Sequence, residues 1–144
     1  MNKKLPTIVA VDFDGTLVED NFPEIGQPIP TMIEYIKSLS KAGAKIILWT
    51  CRNGKALEQA LQFCTDYKLY FDAVNENLPE VKELYGGDTR KVFADFYIDD
   101  KAYEASKYLF SMEASLRKFY AEEAATALQK LLATLSNPFE SEGA

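Results

Sequence analysis

The run Ile8-Val9-Ala10-Val11-Asp12-Phe13-Asp14-Gly15-Thr16 constrains this chain more than any other stretch. Its apolar part is short, β-branched and bounded by a turn signal, so it reads as a buried strand. Both faces of that strand are apolar, the pattern of a parallel strand covered by helices on each side. Ligands of open α/β sheets bind beyond the carboxyl ends of strands. Asp12 and Asp14 stand at that end, and Gly15 lets the chain turn away sharply behind them. Two carboxylates this close repel, so a cation or a raised pKa must relieve them. A bare Asp-Gly pair reads as a turn with Asx hydrogen bonds; the full stretch is more specific than that pair.

The remaining chain is patterned as an α/β domain. Residues 17–30 carry three prolines, one glycine and three acids and read as a loop, with room for a short hairpin. Thr31 opens a helix, and Glu34 three residues on completes a capping box. Ile33, Ile36 and Leu39 keep helical spacing, and Gly43 stands where a C-terminal cap belongs. Lys45–Trp49 is the second buried strand, ending at Thr50. Asn53 is placed to cap the next helix, whose apolar face is Leu57, Ala60, Leu61 and Cys64. Tyr70–Val74 reads as a third strand, and residues 75–91 as a polar loop with one helical turn near Glu80–Tyr85. Val92–Ile98 is the fourth strand, with Phe96 as its latest start. Strand–helix alternation in this order is an α/β signature. Right-handed crossovers then place helices on both faces, giving a three-layer, doubly wound parallel sheet of Rossmann type. Residues 102–136 read as helix, broken near Ser111, with a stripe of Leu109, Met112, Leu116, Phe119, Leu128, Leu131, Leu132 and Leu135. Asn137-Pro138 stops it. That helix either covers one sheet face or builds an oligomer. One domain over residues 1–136 follows, with 137–144 read as a disordered tail.

Composition removes several chemistries. The 144 residues include no histidine, which excludes a histidine general base, a Ser-His-Asp triad and a histidine-ligated zinc within this chain. Cys51 and Cys64 have neither metal spacing nor the framework of secreted disulfides. They read as reduced, buried packing residues. Cys51 follows a strand, but no histidine exists to activate it. A net charge of −6 gives no footprint for non-specific nucleic-acid binding. Residues 1–6 are too short for a signal peptide before Asp12. No apolar run approaches membrane-spanning length, so the expected location is the cytoplasm.

Three strands therefore end in polar residues on one rim: Asp12 and Asp14, then Thr50, then Asp99 and Asp100. That convergence outweighs any single motif. It also carries a resemblance. Asp12-Phe13-Asp14-Gly15-Thr16 is similar to the first motif of the haloacid dehalogenase superfamily, the large group of aspartate-dependent phosphohydrolases. Ile47-Leu48-Trp49-Thr50 resembles the second motif, and Phe96-Tyr97-Ile98-Asp99-Asp100 the fourth. The resemblance covers residues 8–101. The intervals where relatives insert a cap domain are too short here to hold one.

The resemblance implies a small, capless, magnesium-dependent phosphomonoester hydrolase. Asp12 would be the nucleophile that forms an aspartyl-phosphate. Asp14 would be the general acid for the leaving oxygen, then the base for water. Magnesium suits such oxygen ligands; they would be Asp12, the backbone carbonyl of Asp14, and an acid of the Asp99-Asp100 pair, with Asp99 favoured as the direct one. Thr50 would donate its hydroxyl to a phosphoryl oxygen, and Thr16 would fix the turn. Arg52 would either approach the phosphate or lie on the surface. The lysine of the third motif would be Lys91, with Lys82 as the alternative. Lys91 lies eight residues before Asp99, and eight extended residues span ~26 Å. It reaches the rim only if Val92–Asp95 fold back as a loop. The implied partner is a phosphorylated substrate, small or macromolecular, with no membrane; a homo-oligomer through residues 102–136 is a further expectation. Two other readings stay open. A receiver-type phospho-acceptor domain would place adjacent acids after the first strand and a lone Asp after the third. The other is a binding module that keeps the fold without catalysis; the presence of every expected acid speaks against it.

Overall fold

Four apolar residues in a row give β1 (Ile8–Val11), and all four are buried. In this computed structural model, which describes residues 4–102 and 121–135, β1 is flanked on both sides. β2 (Lys45–Leu48) and β4 (Phe96–Ile98) pair with it in parallel, and β3 (Ala73–Val74) pairs in parallel with β2. The sheet thus has four strands in the order β3-β2-β1-β4. Side chains alternate across a strand, so β1 feeds two cores. Val9 and Val11 join Ile46 and Leu48 in one. Ile8 and Ala10 join Ile47 in the other.

The first core is closed by Ile33 and Ile36 of α1 (Pro30–Lys41) and by Ala60 and Cys64 of α2 (Gly54–Asp66). Leu57 and Leu61, the rest of the expected α2 face, pack half-buried against it. The second core is closed by Leu78, Val92 and Val81 of α3 (Pro79–Tyr85). The architecture is α/β, an all-parallel sheet with a Rossmann-like core.

The chain divides into two compact units, Met1–Ala102 and Tyr103–Ala144. In the second, residues 121–135 form α4, and its Leu128, Leu131, Leu132 and Leu135 are each more than half exposed. The rest of the expected stripe (Leu109, Met112, Leu116, Phe119), the break near Ser111 and the 137–144 tail lie outside the described residues. Among the described residues no helix is long and apolar enough to cross a membrane.

Several element ends depart from the sequence expectation, each for a local reason. α1 begins at Pro30, whose missing N–H costs nothing in a first turn. Its N-cap is Ile29 with no side-chain cap bond, so the Thr31/Glu34 capping box does not form; Glu34 pairs with Lys37 instead, at 2.9 Å. Asn53 is the N-cap of α2, but its side chain makes no cap bond. Gly43 follows the α1 C-cap with φ +99°, as the cap requires. β2 stops one residue short of Trp49.

β3 keeps only two of its five expected residues, because the Asp72 carboxylate, not backbone, accepts the Ile46 N–H at 2.8 Å. The same device starts β4. The Asp95 carboxylate accepts the Ile8 N–H at 2.8 Å, and the Asp95 N–H returns to the Ile8 carbonyl at 2.8 Å. Residues 92–94 are folded back by the Tyr97 hydroxyl, which donates to the Val92 carbonyl at 2.6 Å and accepts the Ala94 N–H at 3.2 Å. β4 therefore begins at Phe96, the latest start the sequence allowed. Of the two cysteines expected to be buried, Cys51 is exposed and only Cys64 is buried; Cys51 lies in the β2–α2 turn. Burial pushes the Cys64 thiol up to about 12, which leaves it inert.

Candidate functional site

The carboxyl ends of β1 and β4 are hydrogen-bonded beyond the strands: the Asp12 N–H donates to the Ile98 carbonyl at 2.9 Å. This brings the two acidic motifs side by side. One carboxylate oxygen from each of Asp12, Asp99 and Asp100 lies within 4.8 Å of the other two. Asp12 and Asp99 are half-buried and Asp100 is exposed. Asp12 is pushed up from the usual carboxylate value to about 7. Burial is the main cause, and the nearby Asp99 and Asp100 charges add to it, while a hydrogen bond from the Phe13 backbone pulls the other way. The repulsion expected from the sequence thus falls on Asp12, and its principal charged neighbours come from β4.

The turn after Asp12 is built for that approach. The N–H groups of Thr16, Leu17 and Val18 all donate to the Phe13 carbonyl, at 2.9–3.3 Å. Gly15 sits at φ +81°, and a Cβ there would overlap the Asp100 carboxylate. Glycine suits this position for its backbone angle, and it leaves the room that the Asp100 carboxylate occupies. Thr16 is buried, and its hydroxyl accepts the Asp100 N–H at 3.1 Å. It fixes the β4 end against the β1 turn, which extends the turn-fixing role read from the sequence.

Asp14 takes a different environment from Asp12. Its carboxylate is gripped bidentately by Arg52, with Nε to Oδ2 at 2.8 Å and Nη2 to Oδ1 at 2.7 Å. The guanidinium is only 2% exposed. Its other donors reach the carbonyls of Pro23 (2.9 Å), Glu24 (2.8 Å) and Ala56 (3.3 Å). Its plane lies near two rings, Phe13 at 5.0 Å and Phe22 at 5.2 Å. All five guanidinium N–H groups have partners, so none is left for a phosphate. Arg52 is neither a phosphate contact in this state nor a surface residue.

Thr50 follows β2 at the same rim, half-buried. Its N–H donates to the Asn75 side-chain carbonyl at 2.8 Å, and its hydroxyl oxygen accepts the Arg52 N–H at 3.1 Å. The hydroxyl proton remains able to donate outward. The two candidate lysines separate. Lys82 is ion-paired with Glu76 and with Asp88, the latter at 3.4 Å. Lys91 is exposed, and its ammonium rests 5.1 Å from the Tyr97 ring centre. Tyr97 pairs with Ala10, one dipeptide step before Asp12. Lys91 also lines an open cavity of about 420 Å³ together with Asn77, Tyr85, Phe93 and Tyr97. Among the described residues neither lysine is ion-paired with Asp12.

Two asparagines escaped the sequence reading. Asn75 ends β3 at φ +53°, a conformation asparagine tolerates better than most residues, and holds Thr50. Asn77 is 2% exposed and anchors the segment that carries Lys91. Its amide donates to Asp88 at 2.7 Å, and its carbonyl accepts the Phe93 N–H at 2.6 Å. The only legible signal was an Asn-x-Asn pattern directly after a strand.

No protein-family model and no curated protein matches this chain. A solved structure described as a conserved protein coded by a locus of Bacteroides thetaiotaomicron is similar to it. The two are 35% identical, the match covers 77% of this chain and 92% of the other, and the TM-score is 0.61.

Proposed function

We propose that this chain, which belongs to the same family as that conserved Bacteroides thetaiotaomicron protein, is a magnesium-dependent phosphomonoester hydrolase. In this reading the sheet is the three-layer core of a capless haloacid dehalogenase-type enzyme. The observation that carries it is the pairing of Asp12 with Asp99 and Asp100 at one rim, while Asp14, two residues on, is separately held by Arg52. One motif thus supplies two carboxylates in unlike environments: Asp12 in an acidic cluster, which a bound cation would hold ionised for attack, and Asp14 apart from that cluster on Arg52.

The donor set fits the metal. Three carboxylate oxygens from Asp12, Asp99 and Asp100 are hard ligands of the kind magnesium takes, and the Asp14 backbone carbonyl is the fourth candidate. When bound, the ion would offset the negative charge of carboxylates and phosphate. Asp12 attacks phosphorus, and its new bond forms as the bond to the leaving oxygen breaks. Asp14 gives that oxygen its proton. Asp14 then takes a proton from water as the water attacks the aspartyl-phosphate, releasing inorganic phosphate and restoring the Asp12 carboxylate. Thr50 donates to a phosphoryl oxygen, and Lys91 is retained as the lysine of the third motif, since Lys82 is already ion-paired.

The interval between Asp14 and Lys91 contains no separate domain. It holds α1, β2, α2, β3 and α3 and the loops that join them. The proposed substrate is accordingly a phosphate monoester, small or macromolecular. Asp12→Asn tests the reading. Turnover of a panel of phosphate esters with magnesium should fall by on the order of 10⁴ or more, with the fold retained by circular dichroism. Turnover that survives this substitution would remove the covalent route, and a wild-type chain that hydrolyses no ester would remove the function.

A further inference from the structure

Arg52 has all five guanidinium N–H groups engaged, and it joins two things that differ in exposure. On one side is the Asp14 carboxylate, gripped at 2.7 and 2.8 Å. On the other is the tip of the loop between β1 and α1. Residues 19–24 of that tip are all exposed. The base of the loop is a narrow hairpin, with the Glu19 N–H on the Gln27 carbonyl at 2.7 Å and the Ile29 N–H on the Leu17 carbonyl at 2.9 Å. Above that base, among the described residues, the hydrogen bonds from the tip to the rest of the molecule run to Arg52, through the Pro23 and Glu24 carbonyls. Phe22, 61% exposed, lies over the outer face of the guanidinium.

We infer that Arg52 is a positioning residue that couples Asp14 to this loop, so that Asp14 is aimed only while the loop is closed. The physical reason is the fork. Guanidinium presents its donors in one rigid plane, so the bonds to Asp14 fix where the bonds to Pro23 and Glu24 must lie. Lifting the tip orphans two donors of a buried cation, a state costly enough to pull the group out of place. The bidentate grip uses one lone pair on each Asp14 oxygen and leaves a second on each for a proton in transit. In reaction terms the inference rests on the function proposed above: Arg52 touches no substrate and acts through the acid–base carboxylate.

Two arms test it. The first uses amide exchange and needs no activity. Asp14→Asn replaces an acceptor oxygen with an amide that cannot accept from the fork. Exchange at the Glu19 and Ile29 amides should rise by about tenfold, with the amides of Val9 and Val11 unchanged as expected for local opening. Unchanged loop exchange would overturn the coupling, whatever the chain hydrolyses. The second arm uses Arg52→Lys, which keeps the charge and loses the fork. With an alkyl phosphate, whose leaving oxygen needs a proton, kcat should fall about 100-fold, and with an activated aryl phosphate by less than about threefold. KM should stay within about twofold for both, since uniform binding is untouched. An equal loss on both substrates would make Arg52 merely structural, and a raised KM at constant kcat would make it a phosphate contact; either overturns the inference. A wild-type chain without turnover would count against the proposed hydrolase alone, with the coupling then decided by the exchange arm.

Discussion

Gly15 is the residue on which the acidic rim most narrowly depends. It holds φ +81°, and the Asp100 carboxylate fills the space a side chain would take. Gly15→Ala should cost about 1–2 kcal/mol from the left-handed backbone alone. It should also push Asp100 away from Asp12 and weaken magnesium binding by about tenfold or more, as losing a supporting contact does at other metal sites. Urea melts and calorimetric titration read the two effects separately; a normal metal affinity in Gly15→Ala would mean that Asp100 is no ligand. Asp14→Asn makes a different prediction at the same scale. With an activated aryl phosphate the first half-reaction needs little proton donation, so the aspartyl-phosphate should form and then persist. Rapid-quench labelling would find it, and equal slowing of both half-reactions would refute the dual role of Asp14.

At the scale of elements, the β1 end was legible because chemistry and pattern coincide there. Four apolar residues, two acids and a glycine say strand, rim and turn in nine positions, and the structure has each of them there. The same was true of the α2 face and of the Gly43 cap. What stayed illegible was decided by long-range side-chain bonds. No local pattern says that Asp72 and Asp95 will cap the strands beside them, or that the Tyr97 hydroxyl will fold back residues 92–94. Arg52 shows the limit most clearly: its two readings, phosphate contact or surface residue, both omitted a partner 38 positions away. Asn77 belongs to this class, and its importance is testable. Its side chain is fully bonded inside the 86–93 segment and almost unexposed. Asn77→Ala should destabilise the fold by about 1–3 kcal/mol, since it orphans the Phe93 N–H, while Asp88 keeps Lys82 and the backbone N–H of residue 77. It should also loosen Lys91, visible as a raised KM for phosphate esters; a loss under about 0.5 kcal/mol in urea melts would show that the segment is held by something else.

For the whole molecule, the rim sets how stability responds to pH and metal together. In the metal-free chain Asp12 keeps its proton up to about 7, whereas unfolded it would lose it near 3.8. Between those values the folded state binds more protons than the unfolded state, so this group makes stability fall as pH rises. Asp12 is only half-buried, so solvent screening trims the effect to about 1–2 kcal/mol. Asp12→Asn should therefore match wild type near pH 4 and exceed it above pH 7 in a chelator. On the proposed function magnesium would reverse the sign, because it would bind the ionised cluster. At a concentration a hundredfold above its dissociation constant it contributes about 2.7 kcal/mol, nearly all of it lost where Asp12 is protonated. The gap between melting temperatures in magnesium and in chelator should thus widen from pH 5 to pH 8 in wild type. In Asp12→Asn it should be smaller and nearly flat with pH. The ion would bridge the turn after β1 to the end of β4, where the open edge of the sheet is held by only three strand residues. Hydrogen exchange at Ile98 should slow with metal more than exchange at Leu48 on the other side of β1. A metal-induced gap that is the same at both pH values, or exchange protection spread evenly over both strands, would show that the ion is not bound at Asp12, Asp99 and Asp100.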